Sequence, residues 1–88
     1  MAAPGNYISR PQGPALLVLS RHAHDGMAAE RPRVRHEDLA RVLEEPDHDD
    51  GTTAWKRIGR RTVIVRYVEE EGVVRVRSVS ATRRALDA

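Results

Sequence analysis

The 88-residue sequence has room for one small domain, holds no Cys or Phe, and carries a formal net charge of +2. Without cysteine it cannot build a disulfide framework, a thiolate zinc site or a thiol nucleophile. No stretch reaches the roughly 18 consecutive apolar residues of a membrane helix, so the expected setting is cytoplasmic, with no membrane partner.

The net charge hides an asymmetry. Residues 1–50 carry six Arg against nine Asp and Glu, whereas residues 51–88 carry nine Lys and Arg against four Asp and Glu. A basic second half points to an anionic partner, and the acidic stretch serves either to shield it or as a solvated face. Arginine supplies fourteen of the fifteen cations, with Lys56 the lone lysine, and its planar fork suits phosphate.

Residues 1–14 contain Pro4, Gly5, Pro11, Gly13 and Pro14, show no periodicity and read as a flexible tail. Ala15 to Leu19 is an apolar run of strand length. Ser20 is placed to cap a helix beginning at Arg21 and ending near Glu30, before Pro32. Gly26 in its middle costs about 1 kcal/mol against alanine. A second helix opens with His36-Glu37-Asp38, where the macrodipole favours negative charge. Leu39, Val42 and Leu43 form its apolar stripe, and Pro46 ends it.

The remainder alternates like sheet, with strands over Thr53–Ile58, Thr62–Glu69 and Val73–Ser80. A two-residue Glu71-Gly72 turn pairs Glu70 with Val73, Val68 with Arg75, Tyr67 with Val76 and Arg66 with Arg77. Val63, Val65, Tyr67, Val74 and Val76 then share the face that lies on the helices. Ile64, Arg66, Val68, Arg75 and Arg77 share the other. Arg66 opposite Arg77 is locally unfavourable. Either both guanidinium groups splay into water, or a phosphate-bearing ligand sits between them. Thr82 to Ala88 reads as a short helix or a frayed end. The expected fold is α+β, a small antiparallel sheet packed by two helices in the order β-α-α-β-β-β, with one domain over residues 15–82 and a C-terminal end at 83–88.

Among the candidate site residues, His22 stands at the first turn of a helix beside a strand. Its imidazole suits general acid or base work, and equally a backbone hydrogen bond that holds the strand–helix junction. Arg57, Arg60, Arg61, Arg66, Arg75 and Arg77 form the expected basic surface for phosphates. Trp55, near a loop, is the better stacking aromatic, because Tyr67 falls on the core face. No metal is expected. His22 and His24 do not share a helix face, and Asp47-His48-Asp49-Asp50-Gly51 fails the calcium-loop pattern. No glycine-rich phosphate loop or serine elbow is present, so no cofactor is expected.

Taken in order, His22-Ala23, Met27, Arg31, His36-Glu37-Asp38-Leu39, Val42-Leu43-Glu44-Glu45-Pro46, Ile58-Gly59-Arg60-Arg61 and two Val-rich strands resemble a bacterial family, the domain of unknown function 4258. The resemblance covers about residues 15–80 and departs at Gly26 and at Pro32-Arg33-Val34. That family is similar in fold to the RelE and BrnT type II toxins. The resemblance therefore implies a RelE-like fold and a toxin-type protein that binds RNA and acts as a metal-independent endoribonuclease, with or without the ribosome. His22 and Arg61 would be catalytic, Arg66 and Arg77 phosphate clamps and Arg31 a support. A cognate antitoxin would cover the basic face, and a sheet edge would serve antitoxin pairing or a homodimer. The alternative is a non-catalytic domain that binds a protein partner or nucleic acid.

Overall fold

A computed structural model describes residues 7–86. Eight elements follow one another: β1 (Tyr7–Arg10), β2 (Gly13–Leu19), α1 (Arg21–Ala29), α2 (His36–Glu44), β3 (His48–Asp49), β4 (Thr53–Ile58), β5 (Arg61–Glu70) and β6 (Val73–Thr82). The strands form one sheet in the order β1-β2-β6-β5-β4-β3, with both helices on one face. Among the described residues no helix is long and apolar enough to cross a membrane.

The α+β expectation holds, and its detail is corrected in two ways. The sheet is mixed, because β2 runs parallel to β6 with Leu16 beside Val73 and Leu19 beside Val76. Two helices and three strands intervene between β2 and β6, so β6 can return alongside β2 in the same direction. Two further strands, β1 and β3, close the sheet's ends. The flexible tail over residues 1–14 is corrected from Tyr7 onward. Tyr7–Arg10 pairs antiparallel with β2, Ile8 facing Ala15 and Arg10 facing Gly13. Pro11 and Gly13 therefore punctuate a hairpin rather than a disordered arm. Residues 1–6 lie outside the described part.

Both helices start where local chemistry places them. Ser20 caps α1 by accepting from the Ala23 amide at 3.0 Å, and Asp38 accepts from the Arg35 amide at 3.1 Å to close the first turn of α2. Leu39, Val42 and Leu43 of α2 are buried as the stripe requires, beside Ala23 and Met27 of α1. They rest on Val63, Val65, Tyr67, Val74, Val76 and Val79 of the sheet, all buried. Gly26 has its explanation in this packing: a Cβ there would meet the Val79 carbonyl oxygen well inside van der Waals contact. The weak point of the helix is what lets α1 lie close on β6. Residues 83–86 form neither helix nor strand.

The β5–β6 hairpin turns on Glu71 (φ 50°) and Gly72 (φ 76°), the two left-handed residues of the expected two-residue turn. Glu70 faces Val73, Val68 faces Arg75 and Tyr67 faces Val76, as predicted. Beyond Tyr67 the prediction is corrected. A register shift between Arg66 and Tyr67 makes Arg77 an extra residue of β6, so Ser78 and not Arg77 faces Arg66. This β-bulge removes the like-charge pair from direct opposition and re-aims the strand.

Candidate nucleic-acid interface

The face of the sheet away from the helices is open except at Thr62, which is buried and donates to the Arg84 carbonyl at 3.0 Å, and its composition follows from strand alternation. It carries half-buried Val18, Ile64, Val68 and Trp55 between the exposed Arg57, Arg66, Arg75 and Arg77. Arg66, Arg75 and Arg77 form no ion pair among the described residues.

At one end of this face a cleft of about 500 Å³ is lined by His22, Thr52, Thr53, Arg66, Arg77 and Ser78, with Tyr67 and Val68 beside them. Three local devices assemble it. Ser20 ties the start of α1 to β6, its amide donating to the Val76 carbonyl at 3.0 Å and its hydroxyl to the Arg77 carbonyl at 3.0 Å. That places His22, exposed on the first turn, over the bulge. The bulge sets Ser78 opposite Arg66 and leaves Arg77 as the extra residue at the same cleft. Finally, Asp50 accepts from the Thr52 and Thr53 amides at 2.9 and 2.7 Å, and the Tyr67 amide donates to the Thr52 carbonyl at 2.9 Å. Those two amide bonds hold the Asp50 carboxyl below its usual range.

Behind the cleft lies a buried network that the sequence did not announce. The Arg10 side chain, 5% exposed, donates to Asp49 at 3.1 Å, to Glu69 at 3.0 Å, to the Tyr67 hydroxyl at 3.0 Å and to the Leu43 carbonyl. Its guanidinium carbon also lies 5.2 Å from the Tyr67 ring centroid. Tyr67 donates to Asp49, which also accepts from the Gly51 amide at 2.9 Å. Burial together with the Asp49 bond pushes the Tyr67 hydroxyl up to about 12. Burial acts to raise Asp49, but the bonds from Tyr67, Gly51 and Arg10 outweigh it and leave that carboxyl below its ordinary value. For Arg10, burial opposes the charge, and Glu69 and Asp49 more than offset it, holding the guanidinium above its ordinary value. Asp49 and Asp50 are thus engaged with amides, a phenol and an arginine.

The predicted site residues do not form one surface. His22, Arg66 and Arg77 meet in the cleft, and Arg75 lies beside Arg77 near Val18 and Val68. Arg31, Arg60 and Arg61 line a different cleft at the β4–β5 turn. Arg61 is half-buried and donates to the Pro32 and Arg33 carbonyls, while Arg31 donates to those of Ala28 and Glu30 at 2.9 and 3.1 Å. Arg57 donates to the Arg83 carbonyl at 2.9 Å. Trp55 stacks on His48, ring centroids 4.0 Å apart, so one of its faces is already covered.

Thr52, Thr53 and Ser78 are cleft residues that sequence reasoning passed over. The Asp50-Gly51 turn signal could have located the two threonines. Nothing in the local sequence marks the bulge that delivers Ser78.

The sheet's outer strands are also capped. The Ser9 amide on β1 donates to Glu44 at 2.7 Å, and the Arg57 amide on β4 donates to Asp47 at 2.7 Å. Carboxylates thus occupy donors that an added strand would use. No protein-family model, curated protein or solved structure matches the chain.

Proposed function

We propose that the protein is a RelE-like, toxin-type RNA-binding protein whose open basic sheet face receives RNA and whose cleft cuts it without a metal. The observation that carries this reading is the meeting of His22, Arg66 and Arg77 in one cleft, with the Thr53 and Ser78 hydroxyls alongside. Arg66, Arg75 and Arg77 hold backbone phosphates. His22 takes the proton of a 2′-hydroxyl, whose oxygen attacks the adjacent phosphorus. The two guanidinium groups balance the charge that develops on the phosphorane. The 5′-oxygen then departs with a proton from the imidazolium, leaving a 2′,3′-cyclic phosphate. In this reading Arg61 supports the loop around Pro32 and does not act at phosphorus.

A cognate antitoxin would lie over the open face, where Val18, Val68 and Ile64 supply apolar contact and the arginines meet its acidic side chains. The capped edge amides of Ser9 and Arg57 favour face contact over strand addition.

One observation favours a second reading, a non-catalytic binding domain. Among the described residues nothing hydrogen-bonds the His22 ring, whereas an activating base is ordinarily oriented by a third group. The deciding experiment incubates RNA with purified protein, with and without translating ribosomes, beside His22→Ala. Discrete cuts lost in the variant support the ribonuclease reading. Cuts that persist remove His22 from the chemistry, and tight binding without cuts supports the second reading.

A further inference from the structure

The cleft at the β4–β5 turn is a separate feature. It has a volume of about 640 Å³, within the range of small-molecule sites. Arg61 and Arg66 are five residues apart on β5, so this cleft lies about 17 Å along the strand from the His22 cleft. Six arginines line it: Arg31, Arg33, Arg35, Arg60, Arg61 and Arg83. They come from the α1–α2 connection, the β4–β5 turn and the end of β6, segments far apart in sequence.

Three carboxylates, Glu30, Glu37 and Asp38, lie in the same lining and leave half of this charge, a formal +3, uncompensated. Asp38 accepts from the Arg35 amide, and Glu37 lies 3.8 Å from Arg35, both of those side chains being well exposed. Among the described residues the other five arginines have no carboxylate within ion-pair distance. The bonds that Arg31 and Arg61 do make go to carbonyl oxygens, which fix the guanidinium groups without cancelling their charge. Each guanidinium has five N–H donors, so both retain donors for a ligand. Ile58 and Ala81, each half-buried, add apolar surface to the same lining.

Six arginines set against three carboxylates, only one of which lies within ion-pair distance of any of them, leave a local excess of positive charge that suits an external polyanion. A single phosphate would leave most of the arginines unmatched. We infer that this cleft binds a polyphosphate group, either a free nucleoside polyphosphate or the 5′-triphosphate end of an RNA strand. The inference does not depend on cleavage at the His22 cleft.

The test is calorimetric titration of the full chain with sodium tripolyphosphate. The parent, Arg33→Ala/Arg60→Ala and the charge-matched control Arg21→Ala/Arg41→Ala are compared. All four side chains are exposed and free of hydrogen bonds among the described residues, and circular-dichroism melts check that each variant keeps the parent's fold. Saturable binding by the parent is expected, weakened roughly tenfold or more in Arg33→Ala/Arg60→Ala, because charge-assisted hydrogen bonds are lost, and unchanged in Arg21→Ala/Arg41→Ala. If Arg33→Ala/Arg60→Ala unfolds, Arg83→Gln supplies the same comparison. ATP and a short RNA with a 5′-triphosphate or a 5′-hydroxyl then separate the two sources. ATP binding as tightly as the triphosphate RNA identifies the free nucleotide, and preference for the triphosphate RNA over both ATP and the hydroxyl RNA identifies the strand end. No saturable tripolyphosphate binding, or equal weakening in both double variants, overturns the inference. Loss of RNA cleavage in His22→Ala with tripolyphosphate binding intact would leave it standing.

Discussion

Arg66 faces Ser78 across the β5–β6 ladder, and Arg77 is the extra residue that a bulge inserts beside them. Two arginines that a regular hairpin would set directly opposite are instead offset around one cleft. A bulge at such a place re-aims side chains and interrupts pairing, as bulges next to functional sites do.

Because Arg66 and Arg77 are exposed and unpaired among the described residues, replacing either by alanine should leave stability within about 0.5 kcal/mol of the parent. Each replacement should weaken single-stranded RNA binding and lower the slope of log affinity against log salt by about 0.7. Filter binding across a salt series reads both. An unchanged slope would take that arginine off the phosphate path.

Arg10→Ala should cost about 3 kcal/mol, measured by urea unfolding. Removing it leaves Asp49 and Glu69, 18% and 21% exposed, without the cation that holds β1 to β3 and β5. Arg10→Lys should recover only part of this, because three ammonium donors cannot reach every acceptor of the planar fork. A loss below about 1 kcal/mol would rank the network with ordinary surface pairs.

The same network sets a pH dependence at both ends. The folded value of Asp49 is depressed, so its contribution is fully present above the unfolded carboxyl value of 3.8 and is lost as pH falls through the folded value. Tyr67 is raised from 10.0 to about 12, so its contribution is present below pH 10.0 and is lost as pH rises from there through about 12. Melting curves of Asp49→Asn should lose less stability on acidification than the parent. Those of Tyr67→Phe should lose less between pH 10.0 and about 12.

Gly26→Ala should destabilise, although alanine favours helix by about 1 kcal/mol. The added methyl meets the Val79 carbonyl and forces α1 off β6, an overpacking cost of about 1–3 kcal/mol. A thermal melt decides it. A rise in melting temperature would mean that helix propensity wins over this contact.

Much of the fold is legible in the chain because it rests on local chemistry. Ser20 and the His36-Glu37-Asp38 start fix the beginnings of both helices, and Leu39, Val42 and Leu43 mark the face that α2 buries. The Glu71-Gly72 turn and the alternation from Val63 to Val76 set the hairpin register as far as Tyr67. For the site, sequence reasoning reached His22, Arg66 and Arg77 but grouped them with Arg31, Arg60 and Arg61, which line another cleft.

What the sequence by itself determined was the kind and order of these main elements, the aliphatic core and a basic second half, since each depends on neighbours a few residues away. Tertiary structure alone decided the rest. Arg10 joins Asp49, Glu69 and Tyr67 across up to 59 residues, which turns an apparent tail into an anchored strand. Strand β2 lies parallel to β6 because the chain between them folds back over the sheet. Gly26 is needed for a carbonyl on β6, and the bulge divides Arg77 from Arg66. Contacts and register shifts of this kind arise when separate elements meet, and no local pattern encodes them.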